Sequence, residues 1–397
     1  MGKWKIRIRG PLAADLPAVC AALEARGYTR LSIRSLARLL AHLSRWLADH
    51  QLGAGELTRE TIDRFARDRR AAGYTAHRCA SSLEPLLECL RAVGTAPRLA
   101  PLPRIPTPND ATLDGYRTYL TRERDLAPAT ARFYLHVAQA VLPGDGDLTR
   151  LTAHTVTRRI LDLSHRYSVA FTKYWVSAVR VLLRYLFAHG KIATDLIGAI
   201  PAVAGWRLTG IPQDLDPGVV AQIVRACDGR THEGCRTRAA VLLMVRLGLR
   251  VGEVAALRLD DVDWRAGEIV IRGKGRRTDR LPLPVDVGTA VAAYVRRCRP
   301  RTETRGLFLR VHAPHRPTGS SALKSAVRAA CRRAGVPEIG THRLRHTAAS
   351  QMLRRGSPLS EIAQVLRHRH LDTTAIYAKV DRVALRDVAR PWPGGAW

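Results

Sequence analysis

Apolar residues in the first quarter of the chain recur at helical spacing. From about Ser32 onward, Leu36, Leu39, Leu40, Leu43, Trp46 and Leu47 fall three and four apart, which marks one buried face of an amphipathic helix. Gly53-Ala54-Gly55 breaks the pattern. Thr58 is then placed to cap a second helix that carries Ile62 and Phe65, and Gly73 ends it. A third helix is expected over 80–93, closed by Gly94. Ahead of these, Lys3 to Arg9 alternates polar and apolar residues, which suits a short edge strand or a basic arm.

Five prolines (Pro97, Pro101, Pro103, Pro106 and Pro108) make 97–108 a stiff, extended linker. Beyond it the first pattern returns. Leu57-Thr58-x-x-Thr61-Ile62 is echoed by Leu151-Thr152-x-x-Thr155-Val156. Leu86-Leu87-x-x-Leu90 is echoed by Leu182-Leu183-x-x-Leu186. The expected organisation is therefore two copies of a small helical domain, 1–96 and 109–203, with a second linker at 204–214.

From 215 the texture changes. Helices are expected over 215–227, 236–247, 284–297, 321–334 and 343–355, the last closing at Gly356. Residues 268–272 and 278–283 read as two strands around the turn Gly273–Gly275, and 307–309 reads as a short strand. Ser357-Pro358 is placed to start another helix, with serine as cap and proline first inside, and Asp372 to cap a last one carrying Tyr377. The domain 215–380 is thus mainly α with a small antiparallel sheet, followed by a tail over 381–397.

Charge changes the picture. The 397 residues carry 65 Lys+Arg against 34 Asp+Glu, a net charge of +31 dominated by arginine. A globular chain this basic is matched to a polyanion, and the arginine fork grips two phosphate oxygens at once. The seven cysteines show no metal-binding spacing, which suits reduced thiols and a cytoplasmic location. The N-terminus lacks the apolar core of a signal peptide, and no apolar run reaches membrane-spanning length.

Candidate chemistry gathers in the last domain. Thr341-His342-Arg343-Leu344-Arg345-His346 puts two imidazoles and a guanidinium within one helical stretch. Arg250 lies in GLRVGE with Glu253 as a ready partner, and Lys274 sits at the glycine-flanked hairpin tip. His368 and Tyr377 follow. Two arginines can clamp a phosphate as charge-assisted donors, a lysine or imidazole can carry a proton, and a phenol can act as a nucleophile. Neighbouring cations would favour the phenol's anion. The spacing of His342 and His346 is that of a zinc pair, but HRLRH lacks the glutamate of HExxH and offers no third ligand. No metal and no cofactor is expected.

The order and spacing of these groups resemble the tyrosine recombinase (phage integrase) family. Lys274 follows Arg250 by 24 positions, HxxR comes next, His368 follows Arg345 by 23, and Tyr377 follows His368 by 9. GLRVGEVAALRLDDVDW, THRLRHTAASQML and LRHRHLDTTAIYAKV are similar to the family's three motif blocks, over about 212–380. The resemblance implies that Tyr377 attacks a DNA phosphate to give a 3′-phosphotyrosyl link. Arg250 and Arg345 would stabilise the pentavalent phosphate, and Lys274 would protonate the leaving 5′ oxygen. His342 would carry the tyrosine's proton, His368 would hydrogen-bond the phosphate, and Glu253 would support Arg250. His346 reads as a helix-packing residue or one that supports the catalytic groups, rather than as a catalyst. Arg367 stands where the family usually has glycine, and its side chain would add a DNA contact or shift His368.

The fold implied is two small helical DNA-binding domains followed by a mostly helical catalytic domain with a small antiparallel sheet. The expected partners are double-stranded DNA and three further copies in a tetramer, alone or with other recombinases of the same mobile element. Such an enzyme would work on the nucleoid, in integration or transposition, without metal or ATP. Two rival readings use the same residues: a type IB topoisomerase-like relaxing enzyme, and a DNA-binding accessory protein with an inert site.

Overall fold

The computed structural model describes residues 6–98, 106–204, 214–273, 278–367, 374, 376 and 377. The chain forms two compact units, one of residues 1–99 with 210–397 and the other of residues 100–209. It is mainly helical, with one small sheet.

In the N-terminal part, α1 (Leu16–Ala25), α2 (Arg30–Asp49), α3 (Arg59–Ala71) and α4 (Ala80–Val93) enclose a core. That core includes Leu36, Leu40, Leu43, Leu47, Phe65, Leu86 and Leu90. The side chain of Thr58 accepts from the backbone N–H of Thr61 and starts α3. Gly94 ends α4 at φ +90°, a left-handed value that glycine adopts without a Cβ clash.

The second unit repeats these devices. Its helices are α5 (Asp110–Thr118), α6 (Pro128–Val141), α7 (Ala153–Arg166) and α8 (Val169–Ala188). Thr152 caps α7 by accepting from the N–H of Thr155, the counterpart of Thr58 and Thr61. Leu182, Leu183 and Leu186 are buried on α8, as Leu86, Leu87 and Leu90 are on α4. The echoed residues thus do the same work in both places, one pair starting a helix and one trio filling a core.

The last part is built on α10 (His232–Arg246), which follows α9 (Pro217–Arg225) and is buried along most of its length. Alanine, valine, leucine and methionine cover its surface from Ala239 to Val245, because neighbours pack on several sides. Beside it lie α11 (Val251–Ala256) and an antiparallel sheet of β1 (Val262–Asp263), β2 (Glu268–Arg272) and β3 (Thr278–Pro282), in that order. Ile269 and Ile271 are fully buried, one period of two apart, and Ile269 pairs with Leu281. The helices α12 (Val285–Ala293), α13 (Ser320–Arg333), α14 (Thr341–Arg354) and α15 (Leu359–Leu366) complete it. No helix among the described residues is long and apolar enough to cross a membrane.

Several expectations are corrected. Residues 6–9 form no strand. Residues 307–309 make only an isolated bridge, Leu309 to Pro317, while the N–H of Leu307 donates elsewhere, to Leu257 O (2.8 Å). Ser357 does not cap α15. Its N–H closes α14 by donating to Met352 O (3.1 Å), and extended Pro358 becomes the N-cap. The alanine-rich helix α1 and the two-residue strand β1 are not announced by any periodic stripe. Asp372 and the tail 381–397 lie outside the described residues.

Thr58→Ala and Thr152→Ala should each cost about 1 kcal/mol of local stability through loss of the N-cap acceptor. Faster amide exchange in the first turns of α3 and α7 would show it.

Candidate active site

Arg345 points inward from α14 and is buried (4% exposed). It donates from Nη1 to the carbonyl of Gly248 and from Nη2 to the carbonyl of Leu366. Both contacts depend on local backbone. Gly248 sits at φ +61°, and a Cβ there would come within 2.4 Å of the buried Leu366 side chain. Glycine is therefore required both for the conformation and for the close approach of α15. Burial, then the charge of Arg250, pushes the Arg345 pKa down to about 10. It is still a cation at neutral pH.

Arg250 occupies the N-cap position of α11. The Glu253 carboxylate accepts from its backbone N–H (2.8 Å) and from its Nη1 (2.8 Å). One acidic side chain therefore closes the helix start and orients the guanidinium. Burial would push the Glu253 carboxyl up, but Arg367 and then Arg250 outweigh it and hold it below the usual range.

Tyr377 packs in a small apolar cluster with Ala349, Ile362 and Leu366 and is 2% exposed. Its hydroxyl lies 2.9 Å from Nδ1 of His346. Burial pushes the phenol pKa up, while Arg345 and Arg250 pull it down without cancelling the rise. The anion expected from neighbouring cations is thus outweighed by desolvation, and the resting phenol is protonated. Burial, His342 and Arg345 hold His346 below the ordinary imidazole value, so it is neutral and able to accept that proton.

His342, expected to be the proton carrier, is solvent-accessible one turn earlier on α14, its ring 6.5 Å from that of His346. Desolvation of its inner side, then Arg345, Arg250 and Lys324, lowers its pKa. The imidazole against the phenol is His346, which sequence reasoning read as a packing or supporting residue rather than a catalyst. The available signal was its i,i+4 relation to His342, which places both on one helix face.

Arg250, Glu253, Arg345, His342 and Tyr377 therefore share one region, with His346 and Arg367 added. Lys274 and His368 lie outside the described residues. Among the described residues no three or more His, Cys, Asp or Glu side chains come together as a metal site. The cluster can bind a phosphate at two guanidinium groups and pass a proton between a phenol and an imidazole.

Comparison with known proteins agrees with this chemistry. Residues 213–383 match the phage integrase family. The chain is 39% identical over 395 residues to y4rA of Sinorhizobium fredii (strain NBRC 101917 / NGR234), a protein named as an integrase/recombinase. That alignment covers 98% of this chain and 96% of the relative. It is 29% identical over 312 residues to the tyrosine recombinase XerD of Mycobacterium tuberculosis (strain ATCC 25618 / H37Rv), covering 71% and 96%. The fold is similar to that of a lambda integrase dimer bound to a COC' core site (TM-score 0.54, 18% identity, 80% of this chain and 89% of that one). It is also similar to the XerH site-specific recombinase bound to palindromic difH substrate in a post-cleavage complex (TM-score 0.51, 18% identity, 82% and 93%).

Gly248→Ala should destabilise the domain by about 1–3 kcal/mol, from left-handed strain plus the clash with Leu366, measured as a lower unfolding midpoint. The buried arginine, the carboxylate-held arginine and the tyrosine on its histidine, read with these similarities, establish that the chain belongs to the tyrosine recombinase (phage integrase) family.

Proposed function

We propose that this site-specific recombinase cleaves and rejoins double-stranded DNA through Tyr377, without metal or ATP. The observation that carries the reading is the Tyr377 hydroxyl, held on neutral His346 within the field of Arg345 and Arg250. The phenol oxygen attacks the scissile phosphorus as its proton passes to His346 Nδ1. The bond from phosphorus to the 5′ oxygen breaks, and that oxygen takes a proton from Lys274. Arg345 and Arg250 hold the non-bridging oxygens as negative charge builds on them. His342 and His368 complete the set, as carriers of hydrogen bonds or protons to the phosphate.

The product keeps the phosphodiester's energy in a 3′-phosphotyrosine. A 5′ hydroxyl from a second duplex can therefore reverse the step with exchanged strands, and no nucleotide hydrolysis is needed. Because Tyr377 lies against His346 of its own chain, cleavage in cis is the arrangement the geometry supports. Strand exchange would take four copies on two DNA sites. The helical domains 1–96 and 109–203 would bind the duplex, as would the catalytic domain 215–380. A cytoplasmic, nucleoid-associated place follows from that substrate.

Tyr377→Phe should bind DNA as wild type does yet leave no covalent complex on a denaturing gel; a persistent adduct would move the nucleophile elsewhere. With a net charge of +31, binding should weaken by several orders of magnitude between about 50 and 200 mM salt, as for ~6–10 phosphate contacts. Because His346 must be neutral and its pKa is lowered below the ordinary imidazole value of about 6.5, the cleavage rate should hold level between about pH 8 and 7. It should fall only at lower pH, as the imidazole protonates. A rate that already drops between pH 8 and 7 would contradict His346 as the proton acceptor.

A further inference from the structure

Arg367 ends α15 in the left-handed conformation, with φ +54° and ψ +48°. A side chain with a Cβ is disfavoured there, and glycine is the residue that fits without strain. The chain nonetheless places its bulkiest cation at this point and turns it inward. The Arg367 side chain is only 8% exposed. Its Nη2 donates to Glu253 Oε2 (2.8 Å) and its Nη1 to the carbonyl of Val365 (2.8 Å). Of the two sequence readings of Arg367, a DNA contact or a shift of His368, the first is not what this geometry provides.

Glu253 is the shared element. Its Oε1 takes Arg250 Nη1, and its Oε2 takes both the Arg250 backbone N–H and Arg367 Nη2. Without Arg367, one carboxylate would face one guanidinium and cancel its charge. With it, two guanidinium groups share a single carboxylate, and Arg250 keeps more of its attraction for an incoming anion. Arg367 also tethers Glu253 through the oxygen that accepts the Arg250 backbone N–H, and so restrains the carboxylate that holds the Arg250 guanidinium. The residue next to Leu366, whose carbonyl receives Arg345, is thereby tied to both phosphate-binding arginines.

We propose that Arg367 is a positioning residue of the active site, acting through Glu253 to orient Arg250 and to keep its charge available to the phosphate. The proposal rests on the strand-cleavage reading above. The test compares covalent adduct formation at saturating protein, on a pool of nicked duplexes randomised around the nick, by wild type and variants. Arg367→Gly supplies the residue this backbone favours, so folding is retained and the melting temperature should not fall. Its adduct formation should nonetheless be at least tenfold slower, with DNA affinity within twofold of wild type. Arg367→Lys should recover part of the rate. In a Glu253→Gln background, Arg367→Gly should add less than a twofold further loss, because its route is already cut.

A Gly variant as fast as wild type would overturn the proposal, as would losses that multiply fully in the double variant. Failure of the wild type itself to form an adduct would instead count against strand cleavage. Arg367 would then be judged by titrating inorganic phosphate and following thermal unfolding. The Gly variant should bind phosphate at least threefold more weakly when Arg250 is present, and the difference should vanish in Arg250→Ala. Equal phosphate affinity in both would overturn the role assigned to Arg367.

Discussion

The site depends on one buried charge. Taking a guanidinium out of water costs several kcal/mol unless its donors are satisfied. Arg345 meets that condition by donating to two main-chain carbonyls from distant parts of the sequence, at Gly248 and Leu366. The same bonds join α14 to the turn before α11 and to the end of α15. The cation cannot be removed without leaving those carbonyls unpaired, nor moved without shifting the elements that carry Arg250 and the cluster around Tyr377. A fixed positive charge in a partly dry pocket acts more strongly on a developing anion than a mobile one in water.

The proposed nucleophile is held back by the same surroundings. Burial keeps the Tyr377 phenol protonated, against the pull of Arg345 and Arg250. In the proposed reaction, attack therefore couples to transfer of the proton to His346, whose own burial keeps it neutral. A phenol that ionises only as its proton is accepted, with a phosphate neutralising the arginines, has little opportunity to react with other electrophiles. Glu253 contributes at one remove, since it organises Arg250 while Arg367 offsets its negative charge.

Much of this was legible in the sequence because local rules decide it. Gly94 stops α4 through its left-handed backbone, Thr58 and Thr152 start their helices, and alternating burial marks β2. The order Arg250, Arg345, Tyr377 pointed to the family because few other tasks gather those groups at that spacing. What sequence reasoning missed turns on tertiary contacts. His342 and His346 share a helix, and which ring meets the phenol is settled by a contact 31 residues away. Whether Arg367 faces DNA or the interior is settled by Glu253, 114 residues earlier. The phenol's ionisation was misjudged because charges are visible in a sequence and burial is not. The strand expected at 307–309 reduces to one bridge, to Pro317, a pairing the local pattern does not announce.

The most direct test of the account is to trap the protein on nicked duplex DNA in the presence of a chelator and map the linked peptide and the DNA ends. The account predicts one adduct, at Tyr377, joined to a 3′ phosphate and leaving a free 5′ hydroxyl. Linkage to a 5′ phosphate, attachment at another residue, or an absolute need for a divalent metal would contradict it.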